Sequence, residues 1–231
     1  MSTLSNVNTA MVLQPKQCDG LTPIAIPRAE NSKKGVSVEY IPDPDKRWFV
    51  MRASYNREVL AADMLIEAGI YAYVVKRYTW LEVDNRRKRV LEILLPNMVF
   101  VYLTPAEAEA LVHDSAAHQS PVPAVSPILS FYYDHFRVNE YGKNPPAEVS
   151  EHEMRNFILA TCTNNENMLL LKGGDYRFKG GEEVLINNGE FKGVRGRVIR
   201  AKGQQRVLVE LAGFATLATA YIPTAFMSVV E

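Results

Sequence analysis

An α+β domain followed by a small all-β domain is the architecture this sequence predicts, and two observations carry it. Between positions 47 and 161, aromatic and β-branched runs alternate with stretches of helical periodicity. Their order is strand, helix, hairpin, strand, helix, strand, helix, which gives an antiparallel sheet with flanking helices. From Phe178 onward, short β-type runs are separated by glycine turns with no helical stretch between them, the pattern of a very small barrel.

Residues 1–45 carry Pro15, Pro23, Pro27, Pro42 and Pro44 among serines and charges without a period, and read as a flexible tail. Order begins near Arg47. Trp48-Phe49-Val50-Met51 is apolar on both faces, as in a central strand covered on each side. Ser54-Tyr55-Asn56 breaks it, and Asn56 is placed to cap a helix over 57–68. Leu60, Met64 and Ala68 repeat at i, i+4 and i+8, with Ala61 and Leu65 beside them, so that side is the expected buried face. Gly69 ends the helix at little steric cost.

Two β segments, 71–83 and 88–94, flank Asp84-Asn85 and the basic run Arg86-Arg87-Lys88-Arg89 as a hairpin with a charged tip. Pro96-Asn97 interrupts before a strong strand over 98–103. Thr104-Pro105-Ala106-Glu107 is a capping box with proline at the first helical position, starting a short helix to about His113. A proline-rich loop over 115–127 precedes a strand over 128–133. Ser150-Glu151-His152-Glu153 is a second capping box, and its helix presents Met154, Phe157, Ile158 and Thr161 on one face. The expected division is a tail at 1–45, a domain at 46–164, a linker at 165–177 and the barrel at 178–231. Val184, Ile186, Val198, Val207 and Val209 are its expected core, and Gly189, Gly193 and Gly196 are read as turn residues.

Lys+Arg and Asp+Glu are both 26, so any hold on nucleic acid comes from a local patch rather than from overall charge. Cys18 and Cys162 lie far apart without metal-ligand spacing, and no apolar run is long enough to span a membrane. A reduced, cytoplasmic monomer is the expectation.

The strand Trp48-Phe49-Val50, the helix after it, the basic hairpin and Leu94-Leu95-Pro96-Asn97-Met98-Val99-Phe100-Val101 together resemble the amino-terminal domain of the NusG family of transcription elongation factors. The glycine-punctuated run from Phe178 resembles the KOW module that family members carry after a linker, which implies a small all-β SH3-like barrel. The resemblance covers residues 46–231. Asn97 stands where the general factor commonly has glycine, and Leu95 and Met98 stand where aromatic residues are common. These departures, with the long tail and the proline-rich insertion, resemble the specialised antitermination paralogues of the RfaH and UpxY type.

The resemblance implies an apolar patch that docks on the clamp of RNA polymerase and suppresses pausing or termination. Tyr55, Leu95, Met98 and Phe100 are its candidates, and His113 matches one position of a polymerase-contacting segment in RfaH. A core role is the competing explanation for Phe100. Arg86, Arg87, Lys88 and Arg89, joined by Arg52 and Arg57, are candidates for phosphate of the upstream duplex or the non-template strand, since a guanidinium fork matches phosphate oxygens. A solvated hairpin tip is the competing explanation. Phe191 matches a partner-facing aromatic, implying contact with a small-subunit ribosomal protein or with Rho; burial in the barrel core is the alternative. Refolding of the barrel into helices, as in RfaH, is disfavoured by its β-branched residues and glycines.

Nothing in the sequence supports an enzyme or a cofactor. No His-x-x-x-His or Cys-x-x-Cys pair appears, and Lys172-Gly173-Gly174-Asp175 lacks the ending of a phosphate loop. His113, His118, His135 and His152 are scattered. A KOW-type RNA- or ribosome-binding protein remains the alternative, although such a protein should be basic.

Overall fold

The computed structural model describes residues 25–31, 33–83, 86–113, 119–171, 177–211 and 213–230, the side chains of 177–181 excepted. The expectations for residues 1–24 with Cys18, for the turn Asp84-Asn85, for Asp114, Ser115 and His118, and for residues 172–176 lie outside them. Strands β1 (Ala29–Glu30), β2 (Ser37–Val38) and β3 (Arg47–Ala53) precede helix α1 (Glu58–Glu67). Then come β4 (Ala72–Tyr73), β5 (Lys76–Val83), β6 (Arg86–Ile93), β7 (Met98–Leu103), α2 (Pro105–Val112), β8 (Leu129–Phe131), β9 (Glu148–Val149) and α3 (Glu151–Thr161). The remainder is all β: β10 (Leu169–Leu170), β11 (Arg177–Ile186), β12 (Arg195–Ala201), β13 (Gln204–Leu211), β14 (Ala215–Ala218) and β15 (Met227–Val229). The fold is α+β, with antiparallel sheets and, among the described residues, three α-helices.

The first large sheet has the order β4-β7-β3-β8, with β9 also pairing β3. Strand β3 is central, as its doubly apolar sequence predicts, and Trp48 to Met51 are all buried. Its register on β7 pairs Trp48 with Tyr102, Val50 with Phe100 and Arg52 with Met98. Alternation puts those side chains on one face and Phe49, Met51, Val99 and Val101 on the other. Phe100 meets Phe157 of α3 at 5.9 Å between ring centroids, so α3 covers the first face. On the opposite face Phe131 receives the ring of His113, just past α2.

Helix α2 starts on the expected box: Thr104 Oγ1 accepts the Glu107 N–H at 3.2 Å, and the Glu107 carboxylate accepts the Thr104 N–H at 2.8 Å. At α3, Ser150 Oγ accepts the Glu153 N–H at 3.3 Å, and Met154, Phe157, Ile158 and Thr161 are all buried. Helix α1 departs from expectation in two ways. Its buried apolar face is Ala61, Ala62, Leu65 and Ile66, while Leu60 is 46% exposed. The helix packs against β3, β4 and β7, and it buries Glu58 and Asp63 along with those four apolar residues. Asn56 does not cap it: the residue sits at φ +53° in a short 3-10 turn, and the cap position is Arg57 with no side-chain bond.

Residues 25–45 are not a loose tail. The β1–β2 hairpin packs on α1, where Asn31 Nδ2 donates to Asp63 O at 3.0 Å and Lys34 pairs with Glu67 at 2.9 Å. The Lys34 ammonium holds the Glu67 carboxyl below its usual range. Tyr40 stacks on Trp48 at 5.7 Å and Tyr102 hydrogen-bonds the backbone of Asp43. Regular structure there is limited to the short β1–β2 hairpin, and aromatic burial orders the chain after it.

The C-terminal sheet has the order β10-β14-β13-β12-β11-β15. Its end strands are two and three residues long and do not pair with each other, so no closed barrel forms among the described residues. Instead α3 packs against β13 as well as β3 and becomes a layer shared by both sheets. Val184, Ile186, Val207 and Val209 are buried as expected, in one core continuous with the first sheet, while Val198 is half-buried. Leu171, Ile199, Ala201, Leu208 and Ala218 form a second core. Gly189 and Gly193 are left-handed turn residues as read, at φ +81° and +90°. Gly196 is not: it lies in β12, where a Cβ would meet Leu208 O at 2.0 Å, so glycine is needed for close strand approach.

The segment after α3 is bonded on both sides. Tyr78 N–H donates to Asn164 O at 2.8 Å and Arg77 to Met168 O at 3.1 Å, from the hairpin. Arg206 Nη1 donates to Asn167 O at 2.7 Å and Asn165 donates to Glu190 at 2.6 Å, from the C-terminal sheet. Burial pulls the Arg206 pKa down, and its bonds to Asn167, Thr219 and Gln204 offset that burial.

Candidate functional site

Four of the predicted residues come together where β3 runs into α1 beside the turn from β6 into β7. Arg52 and Met98 are register partners at the ends of their strands. Asn97, at φ +60°, locks the two turns: its carbonyl accepts the Ala53 N–H at 3.0 Å and its Oδ1 accepts the Asn56 N–H at 3.2 Å. Tyr55, at φ +59°, is held in the left-handed region that a bulky side chain avoids, at a cost of about 1–3 kcal/mol. The Tyr55 ring is 82% exposed, with the Arg57 guanidinium 5.1 Å from its centroid. Exposed Arg52 and Arg57, exposed Tyr55 and half-buried Met98 therefore form one amphipathic patch on a strained, pinned turn.

The other apolar candidates lie elsewhere. Leu95 is buried in the turn before β7, and Phe100 is fully buried against α3, the core role that competed with surface docking. Strand alternation explains Phe100: it shares the face of Val50, which α3 covers. His113 is exposed, but it lies on the Phe131 face, opposite that of Arg52 and Met98, and 3.8 Å from Glu109. Phe191 is 3% exposed and belongs to the core shared with α3, so it presents no surface in this arrangement.

The basic run occupies β6 of a two-stranded sheet formed by β5 and β6 alone. Each of its strands is eight residues long, so the ribbon extends about 23 Å. Arg86, Arg87, Lys88 and Arg89 are all exposed. Arg89 lies over the Tyr78 ring at 3.9 Å and 4.0 Å from Glu166. Sequence reasoning missed the aromatic and apolar partners of this run: Trp80, Leu81, Val83 and Leu91 are each roughly half exposed. The signal was the alternation of Tyr78 and Trp80 opposite Leu91 and Arg89. Trp80 Nε1 donates to Glu166 at 2.9 Å, which fixes the ribbon against the segment after α3. Exposed guanidinium groups interleaved with aromatic rings are chemically suited to phosphate and base contact.

Among the described residues, no group of three or more His, Cys, Asp or Glu is placed to hold a metal, and no helix is long and apolar enough to cross a membrane. No family model matches the chain, and no curated protein matches it. Among solved structures, it is similar to the crystal structure of an MjSpt4:Spt5 complex in conformation B. That similarity has 16% identity, covers 80% of this chain and 97% of that one, and has a TM-score of 0.24. At that score the superposition carries no argument, and the functional reading rests on the residues themselves.

Proposed function

We propose that this protein is a non-catalytic transcription elongation factor of the specialised antitermination kind, which binds RNA polymerase and suppresses pausing or termination. The observation that carries the reading is the patch at the start of α1. There an exposed tyrosine and a half-buried methionine, both at positions the sequence resemblance assigns to the polymerase contact, sit beside Arg52 and Arg57 on a strained turn. Apolar contact from Tyr55 and Met98 would dock on the clamp helices, and the arginines would lie toward nucleic acid. The basic ribbon of β5 and β6 would reach upstream duplex or non-template strand, its guanidinium groups on phosphate and its exposed rings on bases. The C-terminal sheet, in this reading, recruits a further partner such as a small-subunit ribosomal protein or Rho. With Phe191 buried, that role requires the sheet to leave α3 or to use another face.

Capture of core RNA polymerase by the immobilised protein tests the docking assignment. The Met98→Asp variant is expected to lose at least about tenfold in affinity with its circular dichroism unchanged, as for a central apolar contact. Equal capture by wild type and variant would contradict the assignment.

A further inference from the structure

A second surface, remote in sequence from the Tyr55 turn, has the features of a recognition site. The loop between β8 and β9 is closed at its base by a bridge from Tyr133 to Pro146 and by the Asp134 N–H on Pro145 O at 2.9 Å. Its interior is bonded to itself. Asp134 Oδ1 accepts the Phe136 N–H at 2.9 Å, and Asn139 Oδ1 accepts the N–H groups of Tyr141 and Lys143 at 3.0 and 2.9 Å. Asn144 Nδ2 donates to Asp134 O and Arg137 O at 2.9 and 2.8 Å. A loop fixed in this way has little freedom to fold its side chains inward. Yet Phe136 is 94% exposed, Tyr141 78% and Val138 65%. Single apolar residues on a surface are ordinary, but three within six positions of one rigid loop mark a contact surface.

The loop borders a cleft of about 1050 Å³ with Trp48, Tyr132 and Phe214 among its lining residues. Five carboxylates and three cationic side chains line it. The cations are already engaged. Arg137 pairs with Asp134 at 3.4 Å, the Arg47 guanidinium donates to the carbonyls of Pro44 and Lys46, and Lys46 lies over the Tyr102 ring. Glu148 and Glu151 are exposed at the rim. Those contacts leave the cationic charges in place, and Asp43, Asp134 and Glu153 also accept hydrogen bonds. Five carboxylates against three cations still leave a formal excess of two negative charges that favours cations, and aromatic walls favour them further. Phosphates would meet the same carboxylates as repulsion.

We propose that this loop and cleft dock an extended, basic segment of a partner protein, whose apolar side chains cover Phe136 and Tyr141 while its lysines or arginines enter the cleft. Met98 also lines the cleft, so the two surfaces adjoin, but this proposal rests on the loop and the carboxylates and not on the polymerase-binding reading. Fluorescence anisotropy on the full chain tests it with three labelled probes: a peptide alternating arginine and leucine, the same peptide with glutamate for arginine, and a short oligothymidylate. The arginine peptide is expected to bind more tightly than the glutamate peptide. Phe136→Ser, and separately Glu148→Lys with Glu151→Gln, should each raise its Kd at least about fivefold with circular dichroism unchanged. Three results would overturn the proposal: equal binding of the two peptides, unchanged binding by both variants, or an oligothymidylate affinity that Phe136→Ser removes.

Discussion

The β5–β6 ribbon and the C-terminal sheet are both antiparallel and both rich in β-branched and basic residues, yet they treat their apolar side chains in opposite ways. The ribbon leaves Trp80, Leu81, Val83 and Leu91 about half in water, whereas the C-terminal sheet buries Val184, Ile186, Phe191, Val207 and Val209 in a core that runs through α3 into the first sheet. A two-stranded ribbon cannot bury both of its faces, and this one is held chiefly by its edge contacts to residues 164–168. The ribbon's apolar side chains are thus available to a partner, and the buried ones of the C-terminal sheet are not. The difference divides the molecule into a part organised by its own packing and a part that keeps apolar side chains in water.

Substitution in each region breaks or sharpens that comparison. The largest effect is expected from Phe157→Ala, which removes the ring between Phe100 and the shared core: a loss of about 3–5 kcal/mol in urea unfolding. Trp80→Ala should cost about 1 kcal/mol or less. Equal losses would mean that the ribbon is as integral to the fold as α3. Next in size is Asn97→Ala, which keeps a left-handed φ without its side-chain bond and should lose about 1–2 kcal/mol. Asn97→Gly should lose less, because glycine adopts that φ freely. If both variants unfold at the same urea concentration, the turn is not held by the conformation described. The smallest effect on stability is expected when Arg86, Arg87, Lys88 and Arg89 are all changed to glutamine, within about 0.5 kcal/mol of wild type.

Local signals made much of the fold legible. The Thr104 and Ser150 caps, the buried face of α3 and the central place of β3 each follow from residues within one element. Features that depend on a partner element were not legible in the same way. Periodicity gave α1 an apolar side that includes Ala61 and Leu65, both buried, but could not say that Ala62 and Ile66, rather than Leu60, complete the buried face. The glycine-punctuated strands resembled a closed barrel because nothing in their own sequence announces that α3 covers one face. Residues 25–45 were obscured by prolines, while Tyr40 found its place only against Trp48 and Tyr102. In the candidate site, Asn97 stands where the family it resembles commonly has glycine, another residue tolerant of left-handed backbone, and its φ of +60° agrees. Phe100, Leu95 and Phe191 show the limit: an apolar residue in a motif reads the same whether it faces solvent or core.

The central claim is that an apolar and basic surface, spread over the Tyr55 turn and the ribbon, acts on transcribing polymerase. In vitro transcription by purified core polymerase across a pause site and a terminator tests it most directly. The wild-type chain is expected to shorten the pause and increase read-through, and the four-glutamine ribbon variant to lose that effect while remaining folded. Unchanged elongation in the presence of the wild-type chain would contradict the account.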